Sequence, residues 1–371
     1  MNKLIPLCVP EIRGNEWEYI KECLDTNWVS SVGSYVDKFE KDFAKFVNAK
    51  NAVVTVNGTS ALHLALNVLG IGEGDEVIVP SMTFIAPVNA VKYVGAEPVF
   101  VDICRDTFVM DADKIEELIT PKTKAILPVH IYGNIVDMDK VMEIANKYNL
   151  YVIEDATESL GSIYKGKHTG TIGHIGCFSF NGNKLITTGA GGMLVTNDEE
   201  LGKKAKFLST QAKVTLDNKG FYHTDIGFNF RMPNILAAMG CAQLENIEEY
   251  IKIKRENAFF YNELLKDVKN ITLPIEKIET TNVFWLYSIL IEDGFPVSRD
   301  ELIKIMHDAG IETRPFFVPV HTMPSYLKCR SGDLSITEEV SLKGINLPSS
   351  ISLKKDCIIK ICNIIKNYIM Y

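Results

Sequence analysis

Between residues 50 and 200 the chain repeats one pattern: a short apolar run, a turn, then a segment with helical spacing. The runs are NAVVTV (51–56), DEVIVP (75–80), EPVFVDI (97–103), KAILPVH (124–130), LYVIEDA (150–156), GCFSFN (176–181) and GMLVT (192–196). Several are apolar at consecutive positions, as in strands covered on both faces. Between them TSALHLALNVLG (59–70), APVNAVKYVG (86–95), DADKIEELI (111–119) and DMDKVMEIANKYN (137–149) carry the spacing of helices. This alternation implies an α/β fold around a mainly parallel sheet with helices on both sides. Ligands of such sheets bind beyond the carboxyl ends of the strands, so the unusual residues should be sought there.

From about residue 235 the texture changes. Residues 235–268 read as a long helix with a break or bend, bridging to a C-terminal α+β unit. That unit holds the apolar segment VFWLYSILIE (283–292), a helix at 298–310 and a last helix near 353–370. A chain of 371 residues is long for one core, and the expected division is a large unit over 1–250 and a small one over 251–371. The N-terminal segment is expected to contribute to the site. Net charge is −8 and no basic run appears, which excludes nucleic acid as the expected partner. No apolar run is long enough to cross a bilayer, and Pro6 and Pro10 break the N-terminal apolar stretch that a signal peptide would need. Eight scattered cysteines with no CxxC fit reduced thiols in the cytoplasm better than disulfides or zinc, and no metal is expected.

Three strand ends carry candidate chemistry. After NAVVTV come Asn57, Gly58, Thr59 and Ser60, opening a helix; free amides and small hydroxyls there make an anion site or a plain N-cap. Asp155 ends LYVIED, where a carboxylate must be paired: it could hold a cation or a protonated ring nitrogen, or cap the next helix. Glu158 follows three residues later and could cap or touch the same ligand. Ser179 leaves the next strand, and Lys184 sits in the small, polar stretch SFNGNKLITTGAGG (179–192). A lone loop lysine is usually solvated. Lys184, however, lies one α/β repeat after Asp155, so both side chains can converge on one pocket. A phosphate cradle, a buried carboxylate and a lysine together suit pyridoxal 5′-phosphate (PLP), whose aldehyde joins a lysine and whose ring nitrogen pairs with a carboxylate. Phe84, ending PSMTF, could stack on its ring or belong to the core.

The chain resembles the DegT-type nucleotide-sugar aminotransferases, a branch of the fold-type I PLP enzymes. TNWVSSVG (26–33), NGTSALHLAL (57–66), PSMTFIAPVNA (80–90), PVHIYGN (128–134), IEDATESLGS (153–162), SFNGNKLITTGAGG, GFNFRMPN (227–234) and ETRPFFVPVHTMPSY (312–326) carry the resemblance over nearly the whole length. It implies a large domain with a seven-stranded sheet plus a smaller C-terminal α+β domain. It implies Lys184 as the residue joined to PLP, Asp155 as partner of the ring nitrogen and Phe84 as the stacking residue. Gly58, Thr59, Ser60 and Ser179 match phosphate contacts, and Glu158 matches a residue near the PLP hydroxyl. Asn229 matches an asparagine reaching the phosphate in the neighbouring subunit, which implies a homodimer with shared sites. Trp28, Ser30, Asn181, Arg231, Arg314 and His321 are candidate contacts to the sugar nucleotide. The chain departs from the family pattern at Ala190, where glutamate is common, and at Asn181.

The activity so implied is transfer of an amino group from L-glutamate to carbon 4 of a nucleotide-linked 4-keto-6-deoxy sugar. GDP-4-keto-6-deoxymannose is the first expectation, and a UDP-linked 4-keto-6-deoxy-N-acetylhexosamine is the alternative. A PLP-dependent sugar dehydratase would share the fold, but relatives of that kind carry histidine where this chain has Lys184. A nicotinamide oxidoreductase would need a GxGxxG after its first strand, and none is present.

Overall fold

The computed structural model describes residues 4–216 and 220–367. Two amphipathic helices, α1 (Glu16–Asp25) and α2 (Ser34–Val47), precede the first strand. Strand β1 (Asn51–Thr55) runs into α3 (Gly58–Val68), and β2 (Glu76–Pro80) into α4 (Ile85–Tyr93). Then follow β3 (Glu97–Val101), β4 (Thr123–Ile126), α5 (Met138–Tyr148) and β5 (Tyr151–Asp155). A short hairpin of β6 (Ile163–Tyr164) and β7 (Lys167–His168) leads to β8 (Ile175–Ser179) and β9 (Gly192–Thr196). The large sheet has the order β1-β9-β8-β5-β4-β2-β3. Its β5–β8, β4–β5, β2–β4 and β2–β3 pairs are parallel, while β9 runs antiparallel to both β1 and β8. All seven expected strands are therefore present, in a mainly parallel seven-stranded sheet.

The segment 111–119 departs from expectation. It forms two 3₁₀ turns, Ala112–Lys114 and Glu116–Leu118, rather than an α-helix. Its buried residues are Ala112, Ile115 and Leu118. That spacing of three matches the three-residue turn of a 3₁₀ helix, and it puts all three on one face.

After β9 come α6 (Glu199–Ser209), a ribbon of β10 (Lys213–Leu216) and β11 (Gly220–His223), then α7 (Asn234–Glu245) and α8 (Ile247–Leu265). The expected long helix is thus broken at Asn246, whose φ is −107° and ψ 5°. Helix α7 is almost wholly apolar because α1 and α2 pack against it. The C-terminal part adds β12 (Ile271–Thr272), β13 (Thr280–Thr281), β14 (Tyr287–Ile291), α9 (Arg299–Asp308), β15 (Arg314–Pro315), α10 (Ser335–Lys343), β16 (Gly344–Leu347) and α11 (Lys355–Asn367). Strands β12-β14-β16-β15 form a small sheet, and β13 joins the β6–β7 hairpin. The small sheet, α8, α9 and α11 enclose a second apolar core that includes Tyr261, Ile289, Leu302 and Ile361. The large core nevertheless draws in Val283, Trp285 and Phe316 from the C-terminal part, so side chains from both parts meet at its boundary.

The apolar segment 283–292 is a strand only from Tyr287. Phe284 has φ 51°, and its amide donates to the Asn282 side chain at 2.6 Å. That local bond takes the amide out of the sheet ladder and lets Trp285 point elsewhere.

Candidate active site

Strand register assembles the site. Asp155 lies opposite Cys177, Ser179 opposite Gly192, and Gly192 opposite Thr55. The carboxyl ends of β1, β5 and β8 therefore meet the start of β9 on one edge of the sheet. A cavity of about 230 Å³ opens there. Of the sequence-predicted residues, Gly58, Thr59, Phe84, Asp155, Glu158, Ser179, Asn181, Lys184 and Arg314 line it. Ala190 lines it too, so both family departures face the ligand space.

At the β1–α3 junction the Asn57 side chain caps the helix by accepting from the Ser60 amide at 2.8 Å. The amides of Gly58 and Thr59 have no partner among the described residues and are the free donors of the helix start. Gly58 has no room for a side chain: a Cβ would lie 2.9 Å from Ser179 Cβ and 3.2 Å from Thr157 Cγ2. Helix start, Ser179 and Thr157 thus converge on a cradle that only glycine leaves open.

Two carboxylates are buried in the cavity floor. Asp155 accepts from the Thr157 amide at 3.0 Å, and burial pushes its pKa above the usual carboxylate value despite that bond and the nearby Lys184 and His130. Burial raises Glu158 as well, against the pull of Lys184 and of the Tyr132 amide, which donates to it at 2.9 Å. Lys184 Nζ stands 3.5 Å from the other Glu158 oxygen and 4.0 Å from the centre of the Trp285 ring. Among the described residues that line the cavity, the lysine and arginine cations are Lys184 and Arg314.

Trp285, Asn183, Thr157 and Phe317 line the cavity without having been singled out in the sequence. Phe84, 54% exposed, is held by Phe317 with ring centres 5.9 Å apart, and Phe317 stacks at 20° on the buried Tyr132. Tyr132 takes φ 58°, an unfavourable conformation for a bulky residue, and this aims its amide at Glu158. Tyr132 lies in PVHIYGN, one of the segments that carry the resemblance, but the resemblance implies no role for it.

The remaining predicted residues lie outside this cavity lining. Ser60 spends its amide on the cap. The carbonyls of Trp28 and Ser30 accept from the side chain and backbone amide of Asn234, and the Trp28 ring is 56% exposed. His321 is held at both ring nitrogens, by Ser81 at 2.7 Å and Glu338 at 3.2 Å. Arg231 carries a buried Nε without a partner among the described residues. Asn229 is exposed between Phe228 and Phe230, whose rings stack 4.7 Å apart.

These residues fit PLP. The cradle at Gly58 leaves two amides and a serine for a phosphate. The raised proton affinity of two buried carboxylates calls for a further positive group, which a protonated ring nitrogen supplies. The amine stands beside them. Among the described residues no cluster of histidine, cysteine and carboxylates could hold a metal, and no helix is long and apolar enough to cross a membrane.

The sequence profile of the DegT/DnrJ/EryC1/StrS aminotransferase family matches residues 10–366. A protein named GDP-perosamine synthase from Caulobacter vibrioides is 47% identical over 94% of this chain and 94% of its own length. Another of that name from Escherichia coli O157:H7 is 46% identical over 99% of each. A solved structure of a putative sugar aminotransferase from Streptococcus pneumoniae, in its PLP form, superimposes with a TM-score of 0.93 at 26% identity, covering 98% of both chains.

Proposed function

This chain belongs to the DegT/DnrJ/EryC1/StrS aminotransferase family, and on that premise we propose that it converts GDP-4-keto-6-deoxymannose to GDP-perosamine with L-glutamate as amino donor. It is a PLP-dependent aminotransferase of fold-type I. The observation that carries the chemistry is Lys184 Nζ beside Glu158 in a cavity floored by Asp155. The likeness to perosamine synthases carries the choice of sugar, and the UDP-linked alternative has no comparable support.

In this reading Lys184 is the covalent anchor, Asp155 faces the ring nitrogen, and Glu158 lies near the ring hydroxyl. Gly58, Thr59, Ser60 and Ser179 serve the phosphate, and Phe84 stacks on the ring. When bound, PLP supplies an aldehyde that exchanges amines and a ring that delocalises the electron pair left when carbon loses a proton. Lys184, freed by the incoming amine, would carry the proton from the amino acid's α-carbon to the former aldehyde carbon of the cofactor. Water would release 2-oxoglutarate first; the keto sugar would then take the amino group at carbon 4, giving up its oxygen as water, as Lys184 moves the proton in the opposite sense. Asn181 and Arg314 line the way in, and Arg314 suits a diphosphate. Trp28, Ser30, Arg231 and His321, outside the cavity lining, are the further candidate nucleotide contacts.

The same reading includes a homodimer. Asn229 is exposed, and Phe221 and Ile226, which precede it in the chain, are 78% and 85% exposed, apolar side chains suited to a second copy. Residues 1–250 then form the PLP-binding unit and 251–371 the small one. All eight cysteines are unpaired, which suits the cytoplasm.

The test is spectroscopic. Protein purified with PLP should be yellow, bleach with glutamate, and regain colour with GDP-4-keto-6-deoxymannose. Recovery with the UDP-N-acetyl sugar alone would move the substrate assignment. Protein that ignores PLP would sink the whole reading.

A further inference from the structure

Trp285 touches Lys184 at both ends. Its indole Nε1–H donates to the carbonyl of Asn183, the residue before the lysine, at 2.8 Å. Its ring lies 4.0 Å from Lys184 Nζ. The tryptophan is itself fixed. It is 3% exposed, and its own carbonyl accepts from Lys254 Nζ at 2.5 Å. The same ammonium donates to the Ser349 carbonyl, also at 2.5 Å. Asn282 and the left-handed Phe284 have already turned residue 285 out of the strand ladder.

The nearest carboxylate oxygen, on Glu158, is 3.5 Å from Nζ, longer than the 2.7–2.9 Å typical of a charge-assisted bond. The other Glu158 oxygen is engaged by the Tyr132 amide. Asp155 shares the cavity, Arg314 stands among its lining residues, and Lys254 lies on the backbone side of Trp285. A ring face attracts an ammonium without a lone pair to fix it in place. It therefore holds the cation yet lets the amine turn away to react, which a close salt bridge would hinder.

We propose that Trp285 is a positioning residue for Lys184: its ring seats the ammonium whenever the amine is not joined to the cofactor, and its N–H fixes the backbone from which the lysine projects. The proposal rests on the reading of Lys184 as the attachment residue, and its two halves predict different losses.

The test follows PLP recombining with the apoprotein by absorbance over a pH series, so it needs no sugar substrate. With Trp285→Leu the ammonium loses its seat. The pH midpoint of recombination should fall by about half to one unit, and the plateau rate should fall about tenfold. Trp285→Phe keeps a ring face without the N–H, so its midpoint should stay while the plateau drops about threefold. A purely structural tryptophan would lower the melting temperature and leave the midpoint in place. A folded Leu variant with the wild-type midpoint overturns the seat. Should that variant not fold, an unchanged plateau in the Phe variant overturns the anchor, and a shifted midpoint in it overturns the seat. Borohydride fixation of PLP in the wild type separates the premise: label at a residue other than Lys184 removes the attachment reading itself.

Discussion

Lys184 and Lys254 are both withdrawn from solvent, and they differ in what meets the ammonium. Lys254, 3% exposed on α8, gives its protons to two fixed carbonyls, and burial pushes its pKa down. Lys184, with 13% of its side chain exposed, has one carboxylate at 3.5 Å and a ring face. The satisfied lysine ties α8 to the start of β14 and to the loop after β16. The under-satisfied one faces a cavity. Burial alone does not mark a reactive lysine; unmet bonding capacity beside a ligand space does.

Replacing each lysine should separate these roles. Lys184→Ala should cost about a thousandfold or more in turnover, since under the proposed function it removes both anchor and proton carrier, while melting changes little. Single-turnover bleaching with glutamate, with borohydride fixation alongside, reads this out. Lys254→Met leaves two buried carbonyls unbonded and should destabilise the protein by about 2–4 kcal/mol in urea unfolding. The folded fraction should keep turnover within about tenfold, because Trp285 shifts without being lost. The opposite pattern, a stable but inactive Lys254→Met, would break the comparison.

The two carboxylates extend the contrast to pH. Burial raises Asp155 in the fold, so the native apoprotein holds a proton there that the unfolded chain has released. The penalty for charging it is absent below the ordinary carboxylate range. It grows as pH rises through the raised folded value and is complete above it. Apoprotein of Asp155→Asn should therefore melt about 2 °C or more above wild-type apoprotein at pH 8, with the gap closing toward pH 4. With PLP added the order should reverse, because the asparagine cannot pair with a charged ring nitrogen. A gap that does not vary with pH would mean that the Asp155 charge is not what limits the empty site.

Half of this site was legible in the sequence. Asn57–Ser60, Asp155, Ser179 and Lys184 stand at strand ends, and the α/β alternation says that strand ends meet. What the sequence hid rests on local backbone turns and on side-chain contacts that no residue spacing reports. Trp285 sits in the apolar segment 283–292, and the Asn282 side-chain bond to the Phe284 amide, a local turn at the start of that segment, ejects it. Lys254 lies in a charged helical stretch, IKIKREN, where it resembles its exposed neighbours. Tyr132 gives no periodic signal because its role depends on a left-handed φ. The 111–119 segment was misread for a different reason: spacings of three and of 3.6 are hard to tell apart over nine residues.

The smallest expected effect tests how specific the hold on Lys184 is. The Asn183 carbonyl accepts from two sides, from the Trp285 indole at 2.8 Å and from the Cys8 thiol at 3.3 Å. A thiol is a weak donor, so Cys8→Ala should change PLP recombination and turnover by no more than about twofold. If instead it slows recombination as much as Trp285→Phe does, the loop before Lys184 is held mainly by the N-terminal segment. Trp285 would then keep only its ring face as a role, and the contrast between the two lysines would rest on that face and on Glu158. Measuring Cys8→Ala, Trp285→Phe and the double variant as a cycle resolves this, since two donors coupled through one carbonyl should show non-additive losses.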